Sequence, residues 1–115
     1  MEDQDEVRLL TCTILRGLGF DVLEASDGME AMLVSVDYRE QIRLLVTDVI
    51  MPGMNGRELA ARLAPSRPDM KVIYMSGYTD RIMSADGVLD SSVAYLQKPF
   101  TPEMLTQMVR RLLPQ

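Results

Sequence analysis

Three residues of this 115-residue chain have the types and settings of a phosphoryl-handling site: Asp48, Ser76 and Lys98. Each follows a short apolar run, Asp48 after Leu44-Leu45-Val46-Thr47, Ser76 after Val72-Ile73-Tyr74-Met75, and Lys98 after Val93-Ala94-Tyr95-Leu96-Gln97. If the three runs are parallel strands, their C-terminal ends share one rim, which is where open α/β sheets carry their chemistry. Glu2 and Asp3 just precede the first helix, where a preceding strand would deliver two more carboxylates to the same rim. Crowded carboxylates repel and need a compensating cation, which a divalent metal on oxygen ligands and the Lys98 ammonium would both supply. A carboxylate held in this way can attack phosphorus and form an acyl phosphate. The lysine and a hydroxyl would then neutralise charge on the phosphoryl oxygens. Taken singly, each residue has a plainer role: Asp48 a helix cap, Ser76 a turn residue, Lys98 a solvated surface lysine, Glu2 and Asp3 an acidic tail. Their recurrence at successive strand ends favours a common site.

The elements that must position these groups follow from periodicity. Val7, Leu10, Ile14 and Leu18 predict a helix over 5–18, stopped by Gly17 and Gly19. Phe20-Asp21-Val22-Leu23-Glu24 alternates like a strand. Ser26-Asp27-Gly28 opens a second helix whose apolar residues are Ala31, Met32, Leu33 and Val36. Residues 43–47 are a strand ending on Asp48, and a Pro/Gly-rich loop leads to a helix over 56–64 with Leu59, Ala60 and Leu63 inward. Pro65 and Pro68 end it, because neither continues a helical ladder. A strand over 71–75 and a weakly helical stretch over 79–85 follow, the latter broken at Asp86-Gly87. The segment 79–90 is the expected mobile part and a candidate partner contact. The last strand covers 93–96, and Thr101 with Pro102 starts a final helix whose apolar face is Leu105, Met108, Val109 and Leu112. Alternating strands and helices imply one domain over 1–115 of the α/β class, a parallel sheet with helices on both faces.

Composition narrows the function. One cysteine, Cys12, rules out an intramolecular disulfide framework and fits a reducing cytoplasm. With no histidine, zinc, haem and a histidine-based triad are disfavoured. Seventeen acids against twelve bases give a net charge of −5, which disfavours direct nucleic-acid contact. No apolar run approaches the ~20 residues of a membrane span, so no membrane contact by this domain is expected. Ten methionines, several at core-facing positions, read as gap-filling side chains.

The chain resembles the receiver domains of two-component response regulators, over nearly its whole length. The resemblance is carried by Glu2-Asp3, by Asp48-Val49-Ile50-Met51-Pro52-Gly53-Met54-Asn55-Gly56, by Met75-Ser76-Gly77-Tyr78, and by Tyr95-Leu96-Gln97-Lys98-Pro99-Phe100. It implies a doubly wound, flavodoxin-like parallel sheet of order 2-1-3-4-5. It implies that Asp48 accepts a phosphoryl group from a sensor histidine kinase or phosphotransfer protein and that the domain then switches conformation, a signalling module rather than a turnover enzyme. Mg2+ would be held by Glu2, Asp3, Asp48 and the backbone carbonyl of Ile50. Lys98 would hold the phosphoryl oxygens, with a cis bond to Pro99. Ser76 would be the switch hydroxyl and Tyr95 the switch aromatic, against the plainer reading of Tyr95 as a half-buried edge-strand aromatic. Residues 77–90 and 97–102 most resemble receivers attached to hybrid sensor histidine kinases.

The resemblance departs at the start, because its first strand should precede Glu2-Asp3 and the sequence begins at Met1. The expectation is a sheet whose central strand is missing, from a native gene product that is longer. Alternatively the neighbouring strands close up or another molecule fills the gap, and self-association by strand exchange becomes conceivable. Two functions stay open beside phosphoacceptance. One is a receiver-like interaction module that takes no phosphate because its acidic metal site is incomplete. The other, a free-standing aspartyl phosphatase, is weaker because Ile50 stands where such enzymes carry a second acid.

Overall fold

The computed structural model describes residues 4–49, 53–76 and 93–113. Its elements in chain order are α1 (Asp5–Gly17), α2 (Gly28–Asp37), β1 (Leu44–Asp48), α3 (Gly56–Leu63), β2 (Lys71–Ser76), β3 (Val93–Gln97) and α4 (Pro102–Leu112). The strands form a parallel sheet of order β1-β2-β3, with Val46 opposite Ile73 and Ile73 opposite Ala94. These are the last three strands of the expected doubly wound order. The predicted 79–90 segment lies outside the described residues.

Side-chain alternation on the strands builds two apolar layers. Val46, Ile73, Met75, Ala94 and Leu96 face one way, onto Leu15 of α1 and Leu105, Val109 and Leu112 of α4. Val49, Val72 and Tyr74 face the other, onto Leu59, Ala60 and Leu63 of α3, with Ala31 and Met32 of α2 at the margin. Helices therefore cover both faces, and β2 has its core side chains Ile73 and Met75 almost completely enclosed. Met70 and Met75 do fill the core, whereas Met29 and Met104 are exposed.

Helix starts follow the local chemistry. Asp27, Asn55 and Thr101 accept hydrogen bonds from the backbone N–H groups of Glu30, Glu58 and Met104, so each satisfies a donor the helix cannot. The Glu30 carboxylate reaches back to the Ser26 backbone N–H.

Of the apolar residues that the sequence places on α2 without assigning it a face, Leu33 and Val36 are 63% and 75% exposed. At 100° per residue the arc through Gly28, Ala31, Met32 and Ser35 meets the protein, and Met29, Leu33 and Val36 fall together on an adjoining arc that faces outward. With only Glu30, Ser35 and Asp37 polar, α2 gives periodicity little to distinguish its faces.

One expectation needs correction: residues 20–24 form no strand. A strand needs a neighbour to share a ladder, and this stretch has none among the described residues. A cavity of about 310 Å3 separates it from β1, lined among others by Cys12, Leu15, Val22, Leu44 and Val46. The stretch is instead tied to α1: the Phe20 N–H donates to the Leu15 carbonyl, and Arg16 meets Glu24 at 3.0 Å. That contact holds the Glu24 carboxyl below its usual range, and burial pushes the nearby Cys12 thiol up.

Candidate functional site

Asp48 is the last residue of β1 and only 4% exposed. A carboxylate buried to this degree requires a partner. Lys98, immediately beyond β3, supplies it: its Nζ lies 2.5 Å from Asp48 Oδ1. The lysine side chain retains 22% of its exposure, so the ammonium reaches inward from the rim while its stem stays partly in solvent. The peptide bond joining Lys98 to Pro99 is cis, as the resemblance implied.

Described residues on either side of the connection after Asp48 are tied to the backbone near it. Val49 N–H continues the ladder to the Met75 carbonyl at 3.0 Å, and Gly56 N–H donates to the Val49 carbonyl at 2.9 Å. Gly53 has φ +78°, a conformation natural to glycine. At Gly56 a Cβ would collide with the Asp48 carbonyl oxygen and crowd Thr47. The first residue of α3 can therefore sit against the backbone of Asp48 only as glycine. Gly56→Ala is expected to cost about 2 kcal/mol through overpacking, read as a lower urea midpoint, and to misplace Asp48. Thr47, fully buried, donates its hydroxyl to the same Asp48 carbonyl at 3.0 Å.

Ser76 closes β2 one residue beyond Met75, the register partner of Asp48, and pairs with Gln97, the neighbour of Lys98. The backbone thus brings positions 48, 76 and 98 to one rim. Glu2, Asp3 and Ile50, the other expected metal donors, lie outside the described residues. Among the described residues no three acidic, cysteine or histidine side chains cluster to hold a metal.

Tyr95 is half-buried on β3, the edge strand of the described sheet, and its surroundings extend beyond what the sequence indicated. Its ring stacks on that of Tyr74, its register partner, with centroids 5.4 Å apart and planes at 28°. Its hydroxyl accepts a hydrogen bond from Arg57 Nη2 at 2.6 Å. Burial pushes the Tyr74 phenol above its ordinary value, charge repulsion from the Tyr95 phenol adds to this, and the Arg57 guanidinium opposes it. Neither Arg57 nor Tyr74 stood out in the sequence. The available signal was that Tyr74 and Tyr95 each stand two residues before the end of their strand, which pairs them once the strands are parallel and in register.

Comparison with known proteins agrees with this arrangement. The family model of the response regulator receiver domain matches residues 1–110. The sensor kinase CckA of Brucella abortus (strain 2308) is 33% identical over 113 residues, covering 98% of this chain and 12% of CckA. The response regulator receiver protein CpdR of the same organism is 29% identical, covering 97% of this chain and 92% of CpdR. Among solved structures, the receiver domain of the hybrid histidine kinase CckA superposes with a TM-score of 0.79 at 31% identity, covering 96% of this chain and 94% of that one. A response regulator receiver protein from Sinorhizobium medicae WSM419 gives 0.80 at 30% identity, covering 97% and 89%. The chain spans 12% of the CckA kinase and 46% of the Escherichia coli K12 regulator ArcA, which is 31% identical to it. No helix among the described residues is long and apolar enough to cross a membrane. A buried strand-end aspartate facing a lysine that follows β3, two strands away, in a flavodoxin-like sheet matched nearly end to end by one family model, places the chain in that family: it is a response regulator receiver domain of two-component signalling.

Proposed function

We propose that Asp48 is the phosphoacceptor of this receiver and that Lys98 is the cation that holds the phosphoryl group on it. The carrying observation is the 2.5 Å approach of Lys98 Nζ to the buried Asp48 carboxylate. An Asp48 oxygen attacks the phosphorus of a phosphohistidine on a sensor kinase or phosphotransfer protein; the O–P bond forms as the N–P bond breaks, and the imidazole leaves. Lys98 stays within reach of whichever oxygens Asp48 comes to carry, its long stem allowing the ammonium to move outward with them. Ser76, at the same rim, supplies the hydroxyl that follows the phosphoryl group, and Tyr95 the aromatic whose position reports it. Phosphorylation then shifts an existing two-state equilibrium.

The donor chemistry at Asp48, a hard carboxylate oxygen, suits Mg2+, which needs only one or two carboxylates and keeps several waters. Glu2, Asp3 and the Ile50 carbonyl are the further residues that would hold it with Asp48. When bound, the ion would supply charge compensation for the phosphoryl oxygens.

The test is incubation with Mg2+ and a small-molecule phosphodonor, followed by intact-mass measurement. A single phosphoryl adduct is expected in the wild-type chain and none in Asp48→Asn. An adduct that survives Asp48→Asn would place the acceptor elsewhere. No adduct at any Mg2+ concentration would instead favour an interaction module that takes no phosphate.

A further inference from the structure

The contact between Arg57 and Tyr95 joins α3 to β3 across the strand that lies between them. Arg57 is in the first turn of α3, the helix that begins against Asp48, and Tyr95 is three residues before Lys98. Because the sheet order is β1-β2-β3, a β3 side chain that meets α3 while stacked on Tyr74 has to lean inward over β2. The ring is therefore held in one rotamer by three elements: its own strand, the Tyr74 face, and a charged donor on its hydroxyl. The guanidinium carbon also lies 6.0 Å from the ring centroid, at the outer limit of a favourable cation–π approach.

We propose that Arg57 is a positioning residue for the switch: its bond to the Tyr95 hydroxyl keeps the ring inward over Tyr74 before any phosphate is present. This rests on the reading of Asp48 as phosphoacceptor and Tyr95 as switch aromatic. A ligand or modification shifts a two-state element only by its differential interaction with the two states. A contact that already favours the inward ring leaves phosphorylation of Asp48 with less to move. Arginine suits the task better than lysine, because its planar fork loses little freedom in aiming one N–H at a phenol.

The test follows the Tyr95 ring by NMR in protein labelled at its four tyrosines, with Tyr95→Phe assigning the signal. In Arg57→Met, which keeps an apolar stem and deletes the guanidinium, the inward-to-outward ratio is expected to fall about tenfold, the size of one hydrogen bond to a charged group. Arg57→Lys should recover part of that change, and the Tyr38 signal should stay in place as a control for folding. Adding phosphodonor and Mg2+ should return the Arg57→Met ring toward the wild-type position while moving the wild-type ring little. A Tyr95 signal unchanged in Arg57→Met overturns the proposal, and so does a phosphorylated Arg57→Met protein whose ring stays outward. Should Arg57→Met fold poorly, Tyr95→Phe removes the same bond from the other side, and its new ring, followed in phenylalanine-labelled protein, must show the same outward shift. If mass measurement finds no phosphoryl adduct, the phosphoacceptor reading fails by itself, and the ring position without phosphodonor still decides whether Arg57 holds Tyr95.

Discussion

Replacing Lys98 with methionine is expected to cost the folded protein about 3 kcal/mol, far more than the loss of an ordinary surface ion pair. The reason lies with the partner left behind. Asp48 is buried, so without the ammonium at 2.5 Å its carboxylate keeps the cost of leaving water and loses its compensation. The value sits at the low end for broken buried pairs because the Lys98 side chain is itself 22% exposed. Urea unfolding should show a midpoint lowered by on the order of 1–2 M with an unchanged slope. The converse substitution, Asp48→Asn, should cost much less, since the freed ammonium can swing to solvent on its flexible stem. Adding Asp48→Asn to Lys98→Met should then recover most of the lost stability. A double mutant no more stable than Lys98→Met alone would mean that Lys98 contributes through packing of its stem and not through charge.

The second large effect is expected far from the rim, at Arg67. Its guanidinium donates to three backbone carbonyls, Ser35 at 2.9 Å, Tyr38 at 2.7 Å and Glu40 at 2.7 Å, and Nε reaches the Ser35 hydroxyl at 3.3 Å. These carbonyls belong to the end of α2 and the turn after it, where a helix runs out of its own donors. Arg67→Met should lower stability by about 2–3 kcal/mol, the exposed part of the loss being offset by water. Arg67→Lys should recover less than half, because an ammonium cannot span three carbonyls as a fork does. Hydrogen exchange would locate the damage: protection should fall first in the last turn of α2 and hardly change in β2. Uniform loss across the sheet would show instead that Arg67 supports the whole fold.

Much of this protein was legible from residue order because the relevant signals are local. Asp27, Asn55 and Thr101 cap helices through bonds to residues three further along, so sequence spacing contains the whole interaction. Apolar runs that each end in a polar group predict the rim, since parallel strands linked by right-handed crossovers must bring their C-terminal ends together. The positions of Asp48, Ser76 and Lys98 follow from that rule.

What depended on the tertiary structure involves partners distant in sequence. The stretch over 20–24 alternates like a strand, but a strand exists only with a ladder neighbour, and the cavity beside β1 separates it from one. Leu33 and Val36 are as apolar as Ala31 and Met32, yet which arc of α2 turns inward is set by what packs against it. Arg67 sits between two prolines that announce only the end of a helix, and its role appears when the carbonyls of residues 35–40 are brought to it. Arg57 and Tyr95 are thirty-eight positions apart, and their bond exists because β2 lies between their elements. Residue order determined the chemistry available at the strand ends; folding decided which charged groups reach them, because those pairings depend on distances that only the packed sheet and helices define.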